Sequence, residues 1–346
     1  MTTGNPSRMQ TPSFPRNAPR VAILGAGNMG TALAHALARN GCEMIIWDHF
    51  PEVMEEIRVH RTNQRFLADV ELDPRIAVAS TPAECVRNAG IVIPCLPSRF
   101  IEGVISKTIG GLKPGAILLN VAKGFAPGTT ETMPVWLERL LPDHPCAHLA
   151  GPCLAGEFAR GLPGGIVVAA RHDHVAAQVA DAFSGDIFIP FRSTDLIGAA
   201  LAGILKNSYA IFLGLLSRLV PGEKNLEATA LTLCGLEMEM ILVSQGAEPE
   251  TIRGLSGMGD LIATGLAPNS HNRRFGVRLG EGESIDQIRS SNAWLPEGAT
   301  ATPILLQLAD EKGLRPPLLT CLNEVLTGAP AEAEKLLAAL RETEKT

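Results

Sequence analysis

Ten residues near the N-terminus, Val21-Ala-Ile-Leu-Gly25-Ala-Gly27-Asn28-Met29-Gly30, constrain the fold more than any other stretch. An apolar, strand-like run ends directly in glycines spaced G-x-G-x-x-G. The helix-patterned Thr31-Ala-Leu-Ala-His-Ala-Leu follows at once. In such a turn Gly25 permits the sharp bend, Gly27 lets the backbone approach a pyrophosphate, and Gly30 lets helix and strand pack closely. The helix N-terminus, just after Asn28 and Met29, then presents unpaired N–H groups to an anion. The next strand ends Ile45-Ile46-Trp47-Asp48. It places a carboxylate about 20 residues past the glycines, where a ribose 2′-hydroxyl can bond to it. A carboxylate there repels a 2′-phosphate, so NAD is expected over NADP; His49 next door keeps NADP possible.

Strand-like runs at 21–24, 43–47, 76–79, 91–95, 116–121, 147–150, 166–169 and 187–189 alternate with helical patterns such as 30–39 and 130–141. Several runs are apolar at consecutive positions, as when both faces of a parallel sheet are covered. This alternation predicts an α/β, doubly wound sheet. After about Asp195 only helical periodicity remains, at 195–219, 227–244, 302–312 and 331–342. A chain of 346 residues exceeds what one core usually serves. The expected division is a disordered tail over 1–19, a Rossmann-type dinucleotide domain over 20–194, and an all-α domain over 195–346.

Composition narrows the function classes. The formal net charge of −6 offers no basic excess for a phosphate backbone, so no nucleic-acid partner is expected. The seven cysteines are odd in number and form no CxxC pair. Reduced thiols in a cytoplasm fit them better than disulfides or a zinc site, and no metal is expected. Residues 1–19 lack the apolar stretch of a signal peptide. The long apolar run 196–220 carries Lys206 and Asn207 at its centre. A lipid-facing charge there would cost about 3 kcal/mol, so a buried helix is expected and no membrane partner.

Further motifs go beyond the fold: Asn63-Gln-Arg-Phe66-Leu67, Pro97-Ser98, Ala122-Lys123-Gly124, Gly151-Pro152 with Glu157, Lys206-Asn207, Gly257-Met-Gly-Asp260-Leu-Ile-Ala-Thr264, Asn272-Arg-Arg-Phe-Gly276 and Glu297-Gly298. In this order the chain resembles the NAD(P)-dependent glycerol-3-phosphate dehydrogenases, from about 20 to about 328. The resemblance implies a 6-phosphogluconate-dehydrogenase-like architecture, a homodimer, and a place in glycerophospholipid precursor supply. It implies hydride transfer between nicotinamide and C2 of glycerol 3-phosphate, with dihydroxyacetone phosphate as the keto partner. By the same resemblance Lys206 polarises the substrate oxygen, Lys123 lies close by on the cofactor side, and Asp260 and Thr264 complete the site. Asn207, Asn272 and Arg273 fall at the substrate, with Arg273 also near the cofactor. Phe66, Pro97, Ala155 and Glu297 fall at the cofactor.

The residue types suit this chemistry. Ketone reduction needs an alkoxide stabilised and a proton delivered, and an ammonium does both. An ammonium in an apolar helix needs a partner, for which Asp260 is the candidate. Blander readings stand beside these: Lys123 as a solvated loop lysine, Asp260 as a helix cap, Arg273 and Arg274 as an exposed basic pair. Three departures from the resemblance concern the substrate end. His271 stands where family members carry an arginine that clamps the substrate phosphate, and a histidine lacks the bidentate fork. Leu226 and Cys234 replace a common Asn and Arg. Gly151-Pro-Cys-Leu-Ala replaces Gly-Pro-Ser/Thr-Phe-Ala. A dehydrogenase for another small hydroxy or keto compound, phosphonate or unphosphorylated, is therefore the alternative. A non-catalytic NAD-binding protein is the other, though both lysines and Asp260 speak against it.

Overall fold

The computed structural model describes residues 18–220, 222, 224–291 and 295–343. The tail expected over 1–19 lies almost wholly outside the described residues. In the first half, strands β1 (Arg20–Leu24), β2 (Glu43–Trp47), β3 (Ala77–Val78), β4 (Ile91–Pro94), β5 (Ile117–Asn120), β6 (Cys146–Ala150), β7 (Gly164–Ala170) and β8 (Phe188–Ser193) alternate with helices. These are α1 (Asn28–Arg39), α2 (Pro51–His60), α3 (Pro82–Val86), α4 (Ser98–Ile105), α5 (Met133–Leu140), α6 (Ala155–Ala159) and α7 (Asp173–Phe183). The strands form one sheet in the order β3-β2-β1-β4-β5-β6-β7-β8. The crossover from β1 through β2 and β3 back to β4 makes it doubly wound.

Consecutive apolar residues in a strand point to opposite faces, so a sheet covered on both sides needs two cores. Val21, Ile23, Met44, Ile46 and Ile93 join one, with Leu33 and Leu37 of α1. Ala22, Leu24, Ile45, Trp47 and Val92 join the other, with Ile101 of α4 and Trp136 of α5.

The sheet departs from the expected parallel arrangement at one place. β7 runs antiparallel to β6, and β8 is parallel to β7. The link from β6 to β7 contains one helix of five residues, about 7 Å long, beside a strand spanning about 20 Å. β7 starts from the end of the sheet where β6 stops. β3 has only two residues, and β8 begins and ends later than its apolar pattern suggests. Ile189 and Phe191 on this edge strand are exposed, which disguises it.

The second half is helical: α8 (Leu196–Leu219), α9 (Lys224–Ser244), α10 (Pro249–Arg253), a π-helical turn at Leu255–Gly259, α11 (Asp260–Gly265), α12 (His271–Gly280), α13 (Ile285–Ser291), α14 (Glu297–Asp310), α15 (Pro317–Leu326) and α16 (Ala333–Thr343). Asp195 caps α8 by accepting from Gly198 N–H at 2.8 Å. Among the described residues α8 is the one helix long and apolar enough to cross a membrane. The protein itself buries 94% of its most apolar stretch, so α8 is the axis of this domain. Helix α12 presses directly on it. A Cβ at Gly276 would meet the backbone of Ile211 and Leu215, and one at Gly214 the backbone of Arg273. Backbone cannot yield as a side chain can. Gly276→Ala is therefore expected to cost roughly 1–3 kcal/mol, read as a fall in Tm or denaturant midpoint. An unchanged midpoint would show that α12 is free to move off α8.

Candidate active site

The glycine loop is built as its sequence requires. Gly25 has φ +114°, where a side chain is strained, and its N–H donates to Trp47 O at 2.7 Å. A Cβ on Gly30 would overlap the Gly25 carbonyl, which is the close helix–strand packing expected. A Cβ on Gly27 would meet only open space, on the side where a pyrophosphate would pass. No side chain caps the N-terminus of α1, so its first N–H groups face that space. These features fit a bound dinucleotide.

Several side chains brace the loop. Ala26 N–H donates to Asp48 Oδ2 at 2.5 Å, and Asp48 Oδ1 accepts from Phe50 N–H at 3.0 Å. The Ala26 carbonyl accepts from Thr31 Oγ1 at 2.9 Å and from Asn63 Nδ2 at 2.8 Å. Asp48 thus stands at the end of β2 as expected, with both oxygens engaged by backbone. Phe66 and Ala155 are partly buried against the same core, and Pro97 is exposed before α4.

The four residues expected at the reaction come together from three segments. Lys206 Nζ, on buried α8, donates to Thr264 Oγ1 at 2.6 Å and lies 3.1 Å from Asp260 Oδ1. Thr264 Oγ1 in turn donates to Asp260 Oδ1 at 3.2 Å. Lys123, just past β5, pairs with Asp260 Oδ2 and donates to the Gly151 carbonyl at 3.3 Å. The π-helical turn before Asp260 packs Gly257 against the backbone of Ile252. Two ammoniums share one carboxylate in a site where Asp260 is 2% exposed and Lys206 6%.

Their titration follows from that shortage. Burial lowers Lys206 to about 8, and the neighbouring Lys123 charge adds to the effect. Burial also opposes the charge on Lys123, but Asp260 outweighs it and raises that lysine. Burial acts against the Asp260 charge as well, yet the two lysines hold its carboxyl below the usual range. Glu297, at the start of α14, is raised by burial, with Lys206, Lys123 and Arg99 pulling the other way.

Of the residues expected on the substrate side, Asn207 and Asn272 hold each other. Asn272 Nδ2 donates to Asn207 Oδ1 at 2.9 Å, and Asn272 Oδ1 accepts from Gly298 N–H at 3.1 Å. Arg273 donates to the Gly265 carbonyl at 2.5 Å, and His271 is exposed at the first position of α12. Of the three departures, Leu226 and Cys234 belong to the apolar core of the helical half. Cys153 lies in the field of Lys123, Asp260 and Lys206, and burial raises its thiol to about 11.

Sequence reading missed a support under Lys123. Asn120 bonds Ala122 through both its side-chain atoms, at 2.9 and 3.2 Å, and lies 2.9 Å from His148 Nδ1. Burial, with help from Lys123, lowers His148 to about 3, so its ring is neutral. The signal was a lone histidine inside the buried run Cys146–Ala150.

Comparison with known proteins agrees with this geometry. The family model for the NAD-dependent glycerol-3-phosphate dehydrogenase N-terminus matches residues 20–176, and that for the C-terminus matches 195–337. The glycerol-3-phosphate dehydrogenase [NAD(P)+] of Citrifermentans bemidjiense is 32% identical, over 92% of this chain and 96% of its own. That of Anaeromyxobacter dehalogenans is 34% identical over 94% and 98%. The crystal structure of glycerol-3-phosphate dehydrogenase from Coxiella burnetii superposes with a TM-score of 0.85 at 27% identity, over 95% of this chain and 99% of that one. A glycine loop ready for a dinucleotide, a lysine–carboxylate–lysine cluster beside a helical domain, and both family models place the chain in the NAD-dependent glycerol-3-phosphate dehydrogenase family, as an oxidoreductase that uses NAD(P).

Proposed function

We propose that this chain interconverts sn-glycerol 3-phosphate and dihydroxyacetone phosphate. The observation that carries the reading is Lys206 bonded to Thr264 and Asp260 while its proton is held loosely. The nicotinamide supplies or takes the hydride when bound. Lys206 donates to the developing alkoxide, and Thr264 and Asp260 keep its Nζ in place. Lys123 keeps its charge through Asp260, leaving the cluster one net positive charge for an anionic substrate. Asn207, Asn272, Arg273 and His271 form the phosphate end. Asn28, Met29 and the three loop glycines take the pyrophosphate, with Phe66, Pro97, Ala155 and Glu297 along the rest of the dinucleotide.

The proposal extends to a boundary between domains at 194/195, where β8 has ended and α8 not yet begun. It also extends to a cytoplasmic enzyme supplying glycerophospholipid precursors as a homodimer. Ile189 and Phe191 on β8, and Leu236 and Val243 on α9, are exposed apolar side chains that a second copy would cover.

The test is loss of reduced-nicotinamide absorbance with dihydroxyacetone phosphate and with matched ketones lacking phosphate. Preference for the phosphate ester is expected; reduction of an unphosphorylated ketone alone would overturn the substrate. His271→Arg adds a charged fork at the phosphate end and is expected to lower KM for dihydroxyacetone phosphate about tenfold with kcat little changed. A second substrate is favoured by one observation, the exposed His271 in the clamp position. Loss of activity on the true substrate in His271→Arg would support it.

A further inference from the structure

In a Rossmann sheet the adenosine ribose lies at the end of the second strand, where a carboxylate takes the 2′-hydroxyl or a nearby arginine takes a 2′-phosphate. Here that carboxylate is turned inward. Asp48 is 9% exposed, and its two oxygens accept from Ala26 and Phe50 N–H. Two backbone dipoles offset its charge, and it fastens the glycine loop to the end of β2.

An arginine occupies the outside of the same corner. The Arg65 guanidinium lies 4.1 Å over the Phe50 ring and 5.1 Å from that of Phe66. Its place is fixed from both directions. Asn63, two residues earlier, donates to the Ala26 carbonyl and to Thr31 Oγ1, both at 2.8 Å. Phe50 stands two residues past Asp48. The guanidinium is thus carried on a segment that Asn63 ties to the glycine loop, against the ring of Phe50 just past β2. An aromatic face steadies a guanidinium while leaving its N–H groups available to phosphate oxygens. Glu52 accepts one of them at 3.1 Å, in a pair with side chains 49% and 65% exposed. Exposed pairs of this kind are weak and are exchanged easily for a phosphate. His49, exposed, meets the Phe50 ring edge-on at 5.9 Å and adds a donor beside it.

We propose that Arg65 is the binding site for the adenosine 2′-phosphate of NADPH, that Asp48 is a brace of the loop and no barrier to that phosphate, and that the chain binds NADPH at least as tightly as NADH. The inference rests on the dinucleotide site of the family and not on the substrate. Adenosine fragments test it without turnover, so its failure leaves the substrate reading standing, and the reverse.

The experiment is equilibrium titration of the whole chain with 2′,5′-ADP and 5′-AMP, then with NADPH and NADH, at about 0.1 M salt. Wild type is expected to hold 2′,5′-ADP about tenfold or more tightly than 5′-AMP. In Arg65→Gln that ratio is expected to fall to near one, with 5′-AMP and NADH affinities within about twofold of wild type. Arg65→Lys should keep part of the ratio, since a point charge remains without the fork. Three results would overturn the proposal: a wild-type preference for 5′-AMP and NADH, a ratio untouched by Arg65→Gln, or equal loss of both fragments in that variant. The last would mean that Arg65 only shapes the adenine pocket.

Discussion

Lys206→Ala is expected to lower kcat by about a hundredfold or more while the Kd for NADPH or NADH stays within about threefold. The reason is where the interaction strengthens. Lys206 Nζ already has Thr264 and Asp260 as partners in the resting protein, so a neutral carbonyl adds little. A developing alkoxide adds a full charge opposite an ammonium in a site that excludes water, and that difference accelerates the step. The pH profile gives a second readout. Lys206 titrates at about 8 because burial and Lys123 weaken its hold on the proton. Ketone reduction uses the protonated form, so its kcat/KM should be full below pH 8 and fall as pH rises through about 8. Alcohol oxidation needs a base and should rise through the same range. Lys206→Arg keeps the charge at every working pH, so any residual reductase activity should lose that limb. For stability, Lys206 lowers ΔG of unfolding most below pH 8, and that cost is relieved between about 8 and the unfolded value of 10.5, where the unfolded chain binds the extra proton. A variant with wild-type kcat, or a reductase profile flat from pH 7 to 9, would place the proton donor elsewhere.

Sequence reading succeeded where the signal is local. The glycine loop, the strands around it and the change to helices near Asp195 are each set by a few adjacent residues. The structure shows them there, with β8 ending at Ser193 and α8 starting at Leu196. It did less well where the determinant is a connection. The reversal of β7 shows only in how it pairs with β6, and nothing in the β7 residues records it. The site divides in the same way. Lys206 stands out as a charge in an apolar helix, and Asp260 is the natural partner. That Lys123 shares this carboxylate depends on α8, α11 and the end of β5 meeting, a tertiary fact. The support from Asn120 and His148 lies across two neighbouring strands, and only the sheet register pairs those positions. The departures divide too. Leu226 and Cys234 looked like losses from a polar site, and both pack in the helical core. Cys153 remains beside Lys123, Asp260 and Lys206, and His271 remains exposed at the start of α12.

Asp260→Asn should cost more than any other single change in the cluster, in stability as well as rate. One carboxylate holds two buried ammoniums, through Oδ1 to Lys206 and Oδ2 to Lys123. Asparagine fills the space and can still accept from Thr264, but it cancels neither charge. Breaking a buried ion pair by removing one partner costs about 3–5 kcal/mol, because the remaining charge is left in a poorly solvating site. Here two are left facing each other, so the loss should reach that range at pH 7, read as a fall in denaturant midpoint at constant m. The protein has an escape, which makes the claim testable. Without Asp260 the attraction that raises Lys123 and supports Lys206 is gone, so both lysines give up protons at lower pH than in wild type. The destabilisation should shrink as pH is raised from 7 to 9.5, since a neutral amine needs no counter-ion. Reductase activity should fall by more than a hundredfold at pH 7, with what remains confined to more acidic solution than in wild type. Cofactor affinity measured on the same sample should stay near wild type, because the loop from Gly25 to Gly30 and its braces do not touch Asp260. A midpoint within about 1 kcal/mol of wild type at pH 7, independent of pH, would show that water or another group balances the lysines and that Asp260 is not the hinge of the site.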